Sequence, residues 1–68
     1  MLNNKQSFSV GDCVYCSHAQ AKGFVCAIYE FNILVIVTAT YGTSNYSVGN
    51  TYAWMPMQLV PIATLELN

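Results

Sequence analysis

Four side chains of the types that hold metals fall in the first half of the chain: Cys13, Cys16, His18 and Cys26. Thiolate sulfur and imidazole nitrogen are the usual ligands of structural zinc, which takes four in a tetrahedral shell. The spacing here is C-x2-C-x-H-x7-C, which is not a usual finger or knuckle spacing. On one extended strand, positions 13 and 16 point to opposite faces. Zinc would therefore need a tight knuckle there, opened by Asp12. Buried or half-exposed free thiols are the plainer reading, and no metal is expected. No His directly follows the second Cys, so this is not a haem attachment site either. His18 has no hydroxyl or carboxylate partner nearby in sequence, which makes it a surface-loop histidine rather than a general base. Asp12 and Glu30 are too isolated for paired-carboxylate chemistry, and Asp12 suits the turn after Gly11. No Gly-rich phosphate loop is present. The remaining polar group of interest is Gln58, alone in the apolar tail MPMQLVPIATLELN, residues 55–68. Its amide both donates and accepts, so copies arranged in a ring would read an amide-like edge. As a single residue, it suits an exposed turn or an interface equally.

These groups need a scaffold, and size and composition limit the choice. Sixty-eight residues make one domain. A domain this small buries only about 60% of its unfolded surface. Yet 54% of the residues are hydrophobic and only 7% are charged. The charged residues are Lys5, Asp12, Lys22, Glu30 and Glu66. One copy cannot hide so much apolar surface, so a homo-oligomer, dimer or tetramer, is expected. With two lysines, no arginine and a net charge of −1, the chain is not expected to bind nucleic acid. Its most apolar stretch, residues 31–41, has an uninterrupted core of only Ile33 to Val37, far short of the roughly 20 residues of a spanning helix, and no membrane association is expected. Residues 1–9 are too polar for a secretory signal, and three cysteines suit reduced thiols. Both point to the cytoplasm.

The pattern of elements is all-β. Residues 1–7 read as a polar, frayed tail and 8–68 as the single domain. FSVGDCVYC, residues 8–16, reads as a turn at Gly11-Asp12 and a short strand, with Val14 and Cys16 on one face and Cys13 and Tyr15 on the other. A polar loop covers 17–22, and the apolar run GFVCAIYE follows from Gly23. Phe31-Asn32 forms a tight connection to NILVIVTAT, residues 32–40, a central strand rich in β-branched residues. YGTSNYSVGN, residues 41–50, is a long loop or distal hairpin. TYAWMP, residues 51–56, is the next strand.

Phe8-x-x-Gly11-Asp12-x-Val14, then Gly23-Phe24-Val25, then a β-branched strand and a Pro-interrupted tail, resembles the SH3-like small barrel. The expected fold is therefore a five-stranded SH3-like barrel, with the long loop at 41–50 and a short 3-10 turn before the last strand. A narrower resemblance is to the type II dihydrofolate reductases, the trimethoprim-insensitive enzymes of mobile gene cassettes. FSVGDCV is similar to their Phe-Gly-Met-Gly-Asp-x-Val entry. MQLVPIATLE, residues 57–66, is similar to their Val-Gln-Ile-Tyr-Pro-Val-Ala-Ala-Leu-Glu tail. The resemblance implies that Gln58 lines a central pore and that the backbone of Leu59 contacts a nicotinamide amide. Val60 stands in place of a tyrosine, and Cys16 in place of a functional lysine. A cysteine cannot supply the positive potential that NADPH and folate call for.

The tail admits two registers. In the one similar to the reductases, Met57–Val60 is the fourth strand, Pro61–Thr64 the 3-10 turn and Leu65–Leu67 the fifth strand. In the ordinary SH3-like register, Tyr52–Pro56 is the fourth strand, Met57–Leu59 the turn and Val60–Ala63 the fifth. The second keeps proline out of a strand interior. Tyr41, Tyr46, Tyr52 and Trp54 form an aromatic set that suits an oligomer interface or a peptide groove.

The expected function is a non-catalytic homo-oligomeric barrel that binds a small molecule or protein without a cofactor, and the resemblance implies that it is encoded on a mobile gene cassette. The alternatives are a reductase-like enzyme holding NADPH in a symmetric pore, which works by positioning alone, and a peptide-interaction module.

Overall fold

The computed structural model describes residues 8–62. Residues 1–7 and 63–68 lie outside it, and with them the N-terminal tail, Lys5, Glu66 and the strand considered at 65–67. Five strands form one antiparallel sheet: β1 Cys13–Cys16, β2 Ala21–Ile28, β3 Ile33–Thr40, β4 Thr51–Trp54 and β5 Leu59–Pro61. Their order across the sheet is β4-β3-β2-β1-β5. A 3-10 turn, Pro56–Gln58, links β4 to β5. The description is thus all-β, with the loop at 41–50 between β3 and β4.

Alternation decides which side is the core. Val14 and Cys16 of β1 face inward with Ala21 and Val25 of β2. Ile33, Val35 and Val37 of β3 join them, as do Trp54 of β4 and Leu59 of β5. Ala19 completes this one buried cluster, and Phe8, Tyr46 and Tyr52 pack against it. Fully burying a Val, Leu or Ile contributes about 1.5–3 kcal/mol, so this single cluster is the main source of stability.

Both edge strands feed the same core because the sheet is strongly curled. Trp54 lies in the row of Ile33 and Ile28, whereas Leu59 lies in the row of Cys16 and Ala21. In a flat sheet, those rows would be about 23 Å apart along the strands and the two edges about 19 Å apart across them. The diagonal would be about 30 Å. The link through Met55 and the 3-10 turn reaches only about 16 Å, because 3-10 residues rise about 2 Å each. The sheet bends to bring its edges within that reach.

Bulges supply the bend, and they occur in matched pairs. Ser9-Val10-Gly11-Asp12 and Ser47-Val48-Gly49-Asn50 are near-identical turns. Asp12 N donates to Ser9 O at 3.0 Å and Asn50 N to Ser47 O at 3.3 Å. Gly11 and Gly49 have φ of 97° and 93°, in the region glycine favours. Each then opens a bulge, with two residues opposite one. Gly11 N donates to Val25 O and Val25 N to Asp12 O, at 2.8 and 2.9 Å. Gly49 N donates to Val37 O and Val37 N to Asn50 O, at the same distances.

The equivalence runs through four strands. Cys13 pairs with Phe24, Phe24 with Ile36, and Ile36 with Thr51. Gly23 pairs with Val37 and Val25 with Val35. A two-fold axis through the Phe24–Ile36 pair therefore exchanges β2 with β3 and β1 with β4. The register shifts beside Val25 and Val37, at Cys26 and Thr38, also exchange. The burial patterns of β2 and β3 agree at six of eight positions, differing at Phe24/Ile36 and Ile28/Thr40. This is not a tandem repeat, because β1 precedes β2 whereas β4 follows β3.

The tail adopts the ordinary register, one residue earlier than the spacing suggests. Pro56, whose fixed φ suits a first helical position, starts the turn. Pro61 ends β5, which is an edge strand, where a missing N–H is tolerated. The loop after β1 is also shorter than 17–22, since Ala21 and Lys22 already pair with Cys16 and Tyr15.

Gly11→Ala and Gly49→Ala should each destabilise the fold by about 1–2 kcal/mol, the cost of a left-handed L-residue, with similar urea midpoints. Gly23→Ala should cost more than about 3 kcal/mol, because a Cβ there would meet the main-chain oxygen of Ile36. Urea titration followed by Trp54 fluorescence checks all three.

Candidate functional site

Gln58 is the polar residue the tail offers, and the structure gives it a local partner. Its Oε1 accepts the Met55 N–H at 2.9 Å, while its own N–H donates to Met55 O at 2.9 Å. Leu59 N–H then donates to Pro56 O. Glutamine thus closes the turn from both ends, satisfying a donor that the short helix leaves free. The three residues named with it in the sequence divide between the two faces of the sheet. Leu59 points into the core, Val60 is exposed on the other side of β5, and Cys16 is buried beneath. Cys16 and Leu59 are direct register partners, and so are Tyr15 and Val60.

The aromatic set divides into two groups. Tyr46, Tyr52 and Trp54 form one stack, with Tyr46 edge-on to Tyr52 at 4.8 Å and to Trp54 at 5.5 Å. The Tyr52 and Trp54 rings lie 5.7 Å apart and nearly parallel. Trp54 is buried and the two tyrosines are half-buried, so the stack runs from core to surface. Such pairs contribute about 0.5–1.5 kcal/mol each beyond their burial. Tyr41 sits elsewhere, 6.2 Å from Tyr15, a partner that spacing alone did not suggest.

Hydrogen bonds position the stack by holding the 41–50 loop to the β1–β2 turn. Ser44 Oγ donates to Ala19 O at 2.7 Å and accepts from Tyr46 N at 3.2 Å. Tyr41 N donates to Gln20 O at 2.9 Å, and Thr43 Oγ1 donates to Gln20 Oε1 at 3.1 Å. Gln20 itself has φ of 53°, unusual for a non-glycine residue. Sequence reading missed Gln20 and Ser44, and no local pattern marks them, since their partners lie more than twenty residues away.

The surroundings of the Tyr52 hydroxyl alter its acidity. It accepts from Asn50 Nδ2 at 3.4 Å and from Ser47 N at 3.0 Å. Both donors favour the phenolate, the Asn50 amide most, and lower the pKa from the usual 10.0.

Cys13 is half-buried, Cys16 buried and Cys26 exposed, while His18 is exposed in the turn after β1. Among the described residues no three His, Cys, Asp or Glu side chains group as metal ligands would. No described helix is long and apolar enough to cross a membrane.

A different surface gathers at the far end of the sheet. Ile28 and Ile33 close the β2–β3 hairpin, and Tyr29 N donates to Asn32 O across its tip. Trp54 pairs with Ile33, which brings Met55 beside that tip. Tyr29 and Phe31 are 60% and 72% exposed there, and Ile28 and Met55 nearly half. Glu30 is the charge among them.

No family model, no curated protein and no solved structure matches this chain.

Because the folded pKa of Tyr52 is depressed, its bond network adds stability that is fully present above pH 10.0 and is lost as pH falls through the folded pKa. Absorbance at 295 nm should show a tyrosine component that titrates below pH 10.0 and that Tyr52→Phe removes. Asn50→Ala should move that component up toward 10.0.

Proposed function

We propose that the chain is an SH3-like small barrel that works as a homo-oligomeric, non-catalytic binding module. The observation that carries this reading is the apolar end formed by Ile28, Tyr29, Phe31 and Met55. Monomeric proteins rarely leave such a set together in water, and patches of this kind mark interaction surfaces. Methionine and aromatic side chains suit the role, since they adapt in shape and bury large areas at small entropic cost. A chain with five charged residues has little else to keep such a surface soluble.

Two observations support binding over the reductase-like alternative. The Gln58 oxygen is engaged within its own turn rather than offered to a ligand. Lys22 is the one lysine among the described residues, which supplies little potential for the phosphates of NADPH. The strand order, the 3-10 turn before β5 and the curled sheet support the SH3-like assignment.

Native mass spectrometry of the purified protein, with and without NADPH, tests this. A dimer or tetramer that takes up no NADPH is expected. Stoichiometric NADPH uptake would establish the reductase-like reading instead, and a monomer at micromolar concentration would remove the oligomeric one.

A further inference from the structure

The pseudo-two-fold axis relates every strand of the sheet to another except β5. That strand pairs with the outer edge of β1 through Cys16, Tyr15 and Val14. The equivalent outer edge of β4 carries no strand among the described residues. Its hydrogen-bonding groups follow from the bulges. Asp12 O faces Val25, so Cys13 and Tyr15 turn their main-chain groups outward, and Ile62 N donates to Cys13 O at 2.9 Å. Asn50 O likewise faces Val37, so Thr51 and Ala53 turn their N–H and C=O groups outward. Thr51 thus stands where Cys13 stands, and Ala53 where Tyr15 stands.

The two edges differ in how they are protected. β5 spans three residues and ends at Pro61, two features that blunt an edge against further pairing. β4 has neither proline nor charge, and its exposed side chains, Thr51 and Ala53, are small. Natural sheets guard a free edge with lysine, proline or an internal bulge, and β4 has none of these within Thr51–Trp54.

We propose that the outer edge of β4, which no described strand covers, is a docking site for the same strand of a second copy. The two β4 strands would run antiparallel about a two-fold axis at Tyr52. Thr51 of one copy would exchange two hydrogen bonds with Ala53 of the other, and the reverse pair two more. An isologous contact of this kind needs only that the strand complement itself. β4 does so, because an uncharged strand brings no like charges together. The inference rests on the homo-oligomeric reading above and names one of its contacts.

The test uses Ala53→Pro. Proline removes an N–H that points away from β3, so the protomer keeps its own ladder while the docking edge loses a donor in each copy. Sedimentation equilibrium should show self-association weakened on the order of thirtyfold, the effect of two lost hydrogen bonds, with an unchanged far-ultraviolet spectrum. Should the variant not fold, hydrogen exchange of the wild-type chain serves alone. The Thr51 and Ala53 amides should gain protection as protein concentration rises. An oligomer that persists in Ala53→Pro, or that leaves both amides fast-exchanging, overturns the edge contact while sparing the oligomeric reading. A wild-type monomer at every concentration overturns both, and leaves the edge to an extended peptide of another protein.

Discussion

Everything in this fold depends on a short connection. Only Met55 and the three residues of the 3-10 turn separate Trp54, on one edge of the sheet, from Leu59, on the other. That link is about half as long as a flat sheet would require. The sheet must therefore curl, and curling lets one row of inward side chains from five short strands become a closed core. Gln58 matters in this light, because its side chain and main chain both bind Met55 and keep the link compact. A loosened turn would free β5 to slip along β1.

Curling needs places where a strand can bend. The molecule uses one device twice, a Ser-Val-Gly turn leading into a bulge opposite a buried valine. Val25 and Val37 occupy equivalent places in β2 and β3, and each faces the bulge of a flanking strand. A symmetric core built from asymmetric connections suggests that sheet geometry, rather than chain order, sets the equivalence. Bulges raise local twist, so a matched pair bends both halves of the sheet by similar amounts. Among the described residues the symmetry stops at β5, which covers one edge, while the other carries no strand.

The shortage of charge shapes the surface as much as the core. A 68-residue chain has too little interior for its apolar content. Part of the surplus lies at the β2–β3 tip and in the 3-10 turn, and the rest is spread over Val10, Phe24, Tyr41, Val48 and Val60. The aromatic stack plays a different part. Trp54 belongs to the core, and the two tyrosines carry packing outward to a loop held by Ser44 and Gln20.

Strand identity was legible from residue types alone. Alternation placed Val14 and Cys16 together, and β-branched residues marked β3, because both effects act between near neighbours in sequence. The glycine turn at Gly11 was equally plain, and its twin at Gly49 was written in the same letters. The register of the tail was not decided by sequence, since Pro56 and Pro61 are each followed by an apolar residue and local sterics allow either to open the turn before the last strand. Burial of Trp54 and the pairing of Leu59 with Cys16 settle it. The same holds for Tyr41 beside Tyr15, for Ser44 on Ala19, and for the edge of β4 that no described strand covers. Each depends on which distant strands become neighbours, and only the curled sheet brings them together.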